Sequence, residues 1–257
     1  MEYPGDITPE QLLDVTAESL VTWVGVLDDG KGDRPESARI RPLSTQLALV
    51  QQRPLPRQMK IYSEVAAKYL PAVADVWRQR SEALGSVTIL ANALTTTGYF
   101  VRFLRSPAGD GLAALQAKRV ANSVDEIGTM SVDDVAEVTQ FLSTLFVLQG
   151  VRGVASEDRA VLLRHLAIWE RRYQGRLAAE TAGRCLGMLT DDPMMLMMTQ
   201  GVKAMLESAL DECGGPGCAR RTQRDGSNLL QCARYCGVEH QKAAWPKHKP
   251  ICFNATF

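Results

Sequence analysis

The sequence predicts a mainly α protein, with an all-helical body over residues 1–212 and a small cysteine-rich module after it. Three observations carry this. Apolar residues recur at intervals of three and four along the body, no run of six or more alternates with a period of two, and five of the six cysteines lie between Cys213 and Cys252. The first spacing marks one buried face of a helix, and the second argues against half-buried strands. The third points to a segment held by its side-chain chemistry rather than by an apolar core.

The elements follow in order. Thr8-Pro9-Glu10-Gln11 combines a cap, a proline at the first helical position and a glutamine three residues on, so a helix is expected to start there. Its stripe is Leu13, Ala17, Leu20, Val24 and Leu27, ending near Gly30. A loop over residues 29–37 leads to a helix over Leu43 to Gln52, stopped by Pro54 and Pro56. The pattern from Arg57 to about Leu84 contains Pro71, which predicts two helices or one kinked helix.

Ser86 to Arg105 and Gly111 to Ile127 supply the next two helices. Ser131 and Asp134 read as a cap for the stripe Val135, Val138, Leu142 and Leu145. Ser156 reads the same way ahead of Leu162, Leu166, Trp169 and Tyr173, with Gly175 past the end. Arg176 to Leu189 is a shorter helix. Asp192-Pro193 opens the last one, with the stripe Met195, Met198, Val202, Met205 and Ala209, and the methionine run Met194 to Met198 is read as core packing. This gives about nine or ten helices, arranged as an irregular armadillo- or HEAT-like superhelix, which is preferred, or as a bundle.

Apolar residues make up 46% of the 257 and charged residues 23%, enough for a real core. The start of the chain lacks the basic and apolar pattern of a secretory signal, and no apolar window reaches the length of a membrane span. The expectation is an intracellular protein of cytoplasm or nucleus, without membrane partners. In that setting, clustered cysteines hold metal more often than they form disulfides. Net charge is zero, yet from Cys213 onward seven basic residues face two acidic ones, a formal +5 against −5 for the body.

The cluster reads Cys213-x4-Cys218, then Cys232-x3-Cys236-x3-His240, then His248-x3-Cys252. Thiolate and imidazole donors arriving in pairs let each pair chelate one ion at little cost in loop entropy, the pattern of structural zinc. Forty residues bury too little apolar surface to fold unaided. Bound zinc contributes on the order of 10 to 16 kcal/mol to such modules.

Tyr235, Cys236, His240, Gln241, Trp245, His248 and Cys252 stand in the order and spacing of the MYND zinc finger family, which residues 213–252 resemble. The resemblance implies two interleaved zinc sites. Cys213, Cys218, Cys236 and His240 would form one complete set, with a first pair more widely spaced than usual and turned by Gly214-Gly-Pro-Gly217. Cys232, His248 and Cys252 would form the other, one ligand short of a closed tetrahedron. Water or an oxygen donor such as Asp225 would complete it, or it binds weakly, or packing replaces it. Residues 253–257 are left as a short tail.

The resemblance also implies protein binding, with a partner peptide, often proline-rich, lying extended along the module. Gln241 and Trp245 match the positions that contact it, a flat indole for proline and an amide for extended backbone. The alternative for Trp245 is inward packing. The expected function is an adaptor or scaffold. The runner-up is a nucleic-acid-associated finger using Arg220, Arg221, Arg224, Lys242, Lys247 and Lys249 with Tyr235 and Trp245.

No enzymatic activity is expected. The body lacks a glycine-rich phosphate loop and the strands and Asn-His element of the methyltransferase domain joined to some such fingers. The acidic pairs Asp28-Asp29, Asp133-Asp134 and Asp191-Asp192 belong to helix ends. His165, the body's only histidine, reads as a boundary residue, and Cys185 as a small buried hydrophobe.

Overall fold

In the computed structural model, residues 13–28, 30, 34–123, 130–211 and 238–257 are described, the last four residues of 130–211 by backbone only. Among them are eleven α-helices and no strand. They are α1 (Ala17–Trp23), α2 (Glu36–Gln51), α3 (Leu55–Gln79), α4 (Ser86–Leu94), α5 (Gly98–Leu104), α6 (Leu112–Asn122), α7 (Val132–Gln149), α8 (Ser156–Arg172), α9 (Leu177–Leu189), α10 (Pro193–Asp211) and α11 (Val238–His248). Short 3₁₀ turns follow at Pro107–Gly109 and Lys249–Ile251. The all-helical class read from the sequence is therefore correct. The chain divides into two compact units.

The first unit comprises Met1–Ala72, Ala93–Phe103 and Ala204–Phe257. The cap expected at Thr8 lies outside the described residues. Within them, α1 is capped by Thr16, whose hydroxyl accepts from the Ser19 amide at 3.1 Å while Ser19 Oγ accepts from the Thr16 amide at 3.0 Å. The expected stripe holds at Ala17, Leu20 and Val24, which are buried, whereas Leu13 is exposed. The helix ends early because Gly25 adopts φ +83°, with its amide on the Thr22 carbonyl and that of Val26 on Val21, a Schellman closure. A methyl group at Gly25 would also stand 2.8 Å from the Arg39 guanidinium.

Next in this unit, α2 begins seven residues before Leu43, and Pro42 sits within it without ending it. Pro71 is likewise inside α3, which runs as one element rather than as the two helices that were one of the expected alternatives. Conversely, the single helix predicted over Ser86 to Arg105 is two. Thr97 Oγ1 donates to the Leu94 carbonyl at 2.8 Å and accepts from the Phe100 amide at 3.2 Å, closing α4 and starting α5 with one hydroxyl.

The second unit comprises Val73–Asn92 and Leu104–Lys203. Here α6 packs on α7, α7 on α9, α9 on α8 and α8 on α6, the closed cycle of a four-helix bundle. Ser131 and Asp134 form the capping box read from the sequence, and Val135, Val138, Leu142 and Leu145 are fully buried. Ser156, by contrast, is the first residue of α8 rather than its cap, and its hydroxyl turns to Glu157. Trp77 meets Phe141 with ring centroids 5.2 Å apart. The buried Arg119 guanidinium donates to the Trp77 and Arg80 carbonyls at the end of α3, and burial pushes its pKa down to about 10.

Asp192 caps α10 as predicted, accepting from the Met195 amide at 2.9 Å. The phase of that helix is not as predicted. Its half-buried residues are Met195, Leu196, Thr199, Lys203, Leu206 and Glu207, whereas Met194, Met197, Met198, Val202 and Met205 are exposed. A run that is apolar on every side gives periodicity no face to select.

Candidate metal centre

Of the seven candidate ligands, Cys213, Cys218, Cys232 and Cys236 lie outside the described residues, as does Asp225. His240, His248 and Cys252 are described, with the candidate peptide contacts Gln241 and Trp245. All belong to the first unit. Glu239 in the first turn of α11 and Lys247 in its last turn complement the helix dipole.

The helix is divided lengthwise. His240, Gln241, Ala244 and His248 are half-buried, while Lys242, Ala243, Trp245, Pro246 and Lys247 are exposed. Each set follows helical spacing, so the imidazoles share one face and the lysines and indole take the other. His240 and His248 are two turns apart, about 12 Å along the axis. Trp245 is 39% exposed, with its ring centroid 6.1 Å from that of His248.

His248 closes α11, and the turn Lys249–Ile251 carries the chain to Cys252. This is a three-residue gap of the kind that paired zinc ligands use. Desolvation pushes the His248 pKa down, which favours the neutral imidazole that binds metal. Among the described residues no three His, Cys, Asp or Glu side chains form a metal-binding group. The described donors, two imidazoles and one cysteine sulfur, are of the kinds that suit zinc.

Sequence reasoning missed the seat of this segment, because its residues lie about 150 to 190 positions earlier in the chain. Tyr99, near the start of α5, accepts from the Phe253 amide at 2.8 Å, and its oxygen is 2.9 Å from the Phe253 carbonyl and 3.3 Å from that of Ile251. Desolvation raises the phenol pKa and keeps it a donor at neutral pH. Further on, the Thr256 amide donates to the Ala67 carbonyl of α3 at 3.0 Å, and the Phe257 ring meets Phe103 edge-on at 5.1 Å. The spacing of Tyr99 and Phe103, four residues apart on α5, is the only trace of this in the sequence.

Among the described residues, the body's titratable groups form no second metal-binding group. His165 is half-buried beside Trp169, and desolvation with the nearby Arg164 charge lowers its pKa. Cys185 is fully buried, its thiol donating to the Thr139 carbonyl at 3.4 Å and its pKa pushed well up.

These features define a zinc finger joined to an all-helical body. In a comparison with protein families, residues 213–252 match the MYND finger, and the rest of the chain matches no family. No curated protein and no solved structure matches the chain. The C-terminal segment is thus a MYND-type finger, a zinc-binding module of protein interaction. Among the described residues, no helix is long and apolar enough to cross a membrane.

Proposed function

We propose that the chain is a non-enzymatic adaptor of cytoplasm or nucleus whose finger captures an extended, proline-rich peptide. The observation that carries this is the placement of Trp245. It lies on the exposed face of α11, 39% accessible, one turn from Gln241. Here the ring can stack on proline while the Gln241 amide bonds to extended backbone. The exposed Met194, Met197, Met198, Val202 and Met205 of α10 add a soft apolar face that suits protein contacts.

Zinc would be held in two places. Histidines that share an ion on a helix stand one turn apart, whereas His240 and His248 stand two turns apart. That agrees with the pairing the resemblance implies, His240 with Cys213, Cys218 and Cys236, and His248 with Cys252 and Cys232. The ions would fold the module and so fix the face that carries Trp245.

The test is titration of proline-rich peptide into the zinc-loaded full chain, read by indole fluorescence and calorimetry. Binding that persists at high salt and is lost in Trp245→Ala supports the proposal. Steeply salt-dependent binding of random single-stranded DNA, with no peptide binding, would replace it by the nucleic-acid reading.

A further inference from the structure

We propose that Tyr99 is a positioning residue for the zinc ligand Cys252, so that a residue outside the finger holds one of its ligands in place. This rests on the reading of Cys252 as a ligand. The geometry is specific to that residue. The Tyr99 phenol oxygen is 2.8 Å from the Phe253 amide, 2.9 Å from the Phe253 carbonyl and 3.3 Å from the Ile251 carbonyl. One hydroxyl thus holds the chain on both sides of Cys252 and fixes the direction in which its sulfur leaves the backbone.

The tail beyond is pinned as well. Thr256 donates through its amide to the Ala67 carbonyl at 3.0 Å, with its hydroxyl 3.3 Å from the Ala67 and Lys68 carbonyls, and Phe257 packs edge-on against Phe103. Together these contacts anchor the chain from Ile251 to Phe257 on α3 and α5. Such anchoring matters because the sequence supplies this site with only Cys232, His248 and Cys252. With one donor short, affinity depends more on the entropy of ordering those that remain, and a ligand already held in place spares that cost.

The experiment compares the full chain with Tyr99→Phe, which keeps the ring and removes the hydroxyl. Zinc is titrated against a chromogenic chelator, and cobalt is substituted to read thiolate ligation in its absorption. The expected result is an affinity lowered about 10- to 100-fold for the ion bound by Cys252, with weakened cobalt–thiolate absorption at that site. The affinity for the other ion should be unchanged. Equal affinities in parent and variant would overturn the positioning role while leaving Cys252 a ligand. Cys252→Ser is the control for the underlying reading: if it alters neither zinc content nor affinity, Cys252 is no ligand and both readings fall.

A measurement on the unmutated chain covers the case in which the variant does not fold. Zinc bound at Cys252 should slow hydrogen exchange at the Phe253 amide and in α5, and removal of zinc should speed both. Exchange there that is indifferent to zinc would also overturn the proposal.

Discussion

The amide of Thr256 donates to the carbonyl of Ala67 at 3.0 Å, and Ala67 stands four residues ahead of Pro71 in α3. In a helix that carbonyl would receive the amide of residue 71, and proline has none to give. The C-terminal tail supplies the missing donor. This helps explain why α3 continues through Pro71 and why the tail binds at this turn of the helix. Thr256→Pro should therefore lower the stability of the full chain by about 1–2 kcal/mol, by leaving the carbonyl without its amide partner. In a Pro71→Ala background, where the helix supplies its own donor, the same change should cost little. Denaturant melts of the four chains in a double-mutant cycle would measure the difference, and simple additivity would refute the link.

Cys185 tests the packing of the second unit. Its thiol is fully buried on α9 beside Thr139, and the Thr139 and Thr181 hydroxyls are 2.5 Å apart, so polar atoms at this helix contact are already satisfied. Burial raises the thiol pKa, leaving almost no thiolate to react. Alkylation of the native protein followed by peptide mapping should find Cys185 unmodified until the chain unfolds. Cys185→Ser should destabilise by about 1–3 kcal/mol, because a hydroxyl demands a stronger bond than this site gives.

Legibility from the sequence followed the strength of local signals. Ser131 with Asp134 and Asp192 with Pro193 place their helix starts correctly because capping depends on three or four neighbouring residues. The break at Thr97 was hidden, since threonine is an ordinary helix residue until its hydroxyl bonds to both flanking turns. Pro71 left two readings open for the opposite reason, being a strong local breaker that α3 nevertheless accommodates. The cysteine and histidine cluster of a MYND-type finger was legible in residues 213–252. The seat on Tyr99, Ala67 and Phe103 was not, because nothing local to residues 251–257 refers to them.

A pH dependence follows from His165. Desolvation and the Arg164 charge lower its folded pKa below the unfolded value near 6.5. The unfolded chain therefore binds the proton first, and this residue's contribution to stability, present above the unfolded pKa, is lost as pH falls through the folded one. Melting temperatures of the wild type should fall more between pH 7 and about pH 5.5 than those of His165→Gln. Parallel curves would show that the imidazole is not held neutral by the fold.

The two sets of zinc ligands should differ in what their loss does. In the pairing that the resemblance implies, Cys213, Cys218, Cys236 and His240 close a tetrahedron, whereas Cys232, His248 and Cys252 need a fourth donor. Cys218→Ser removes a ligand from the complete set and should abolish folding of the module, seen as loss of one zinc equivalent and of protection along α11. His248→Ala strikes the set that already lacks a donor and whose Cys252 is flanked by the contacts of Ile251 and Phe253 with Tyr99. It should weaken zinc binding and leave most of α11 in place. Zinc counting and hydrogen exchange on both variants separate the outcomes. Equal loss in the two would mean that the second set finds its fourth ligand and carries as much of the fold as the first.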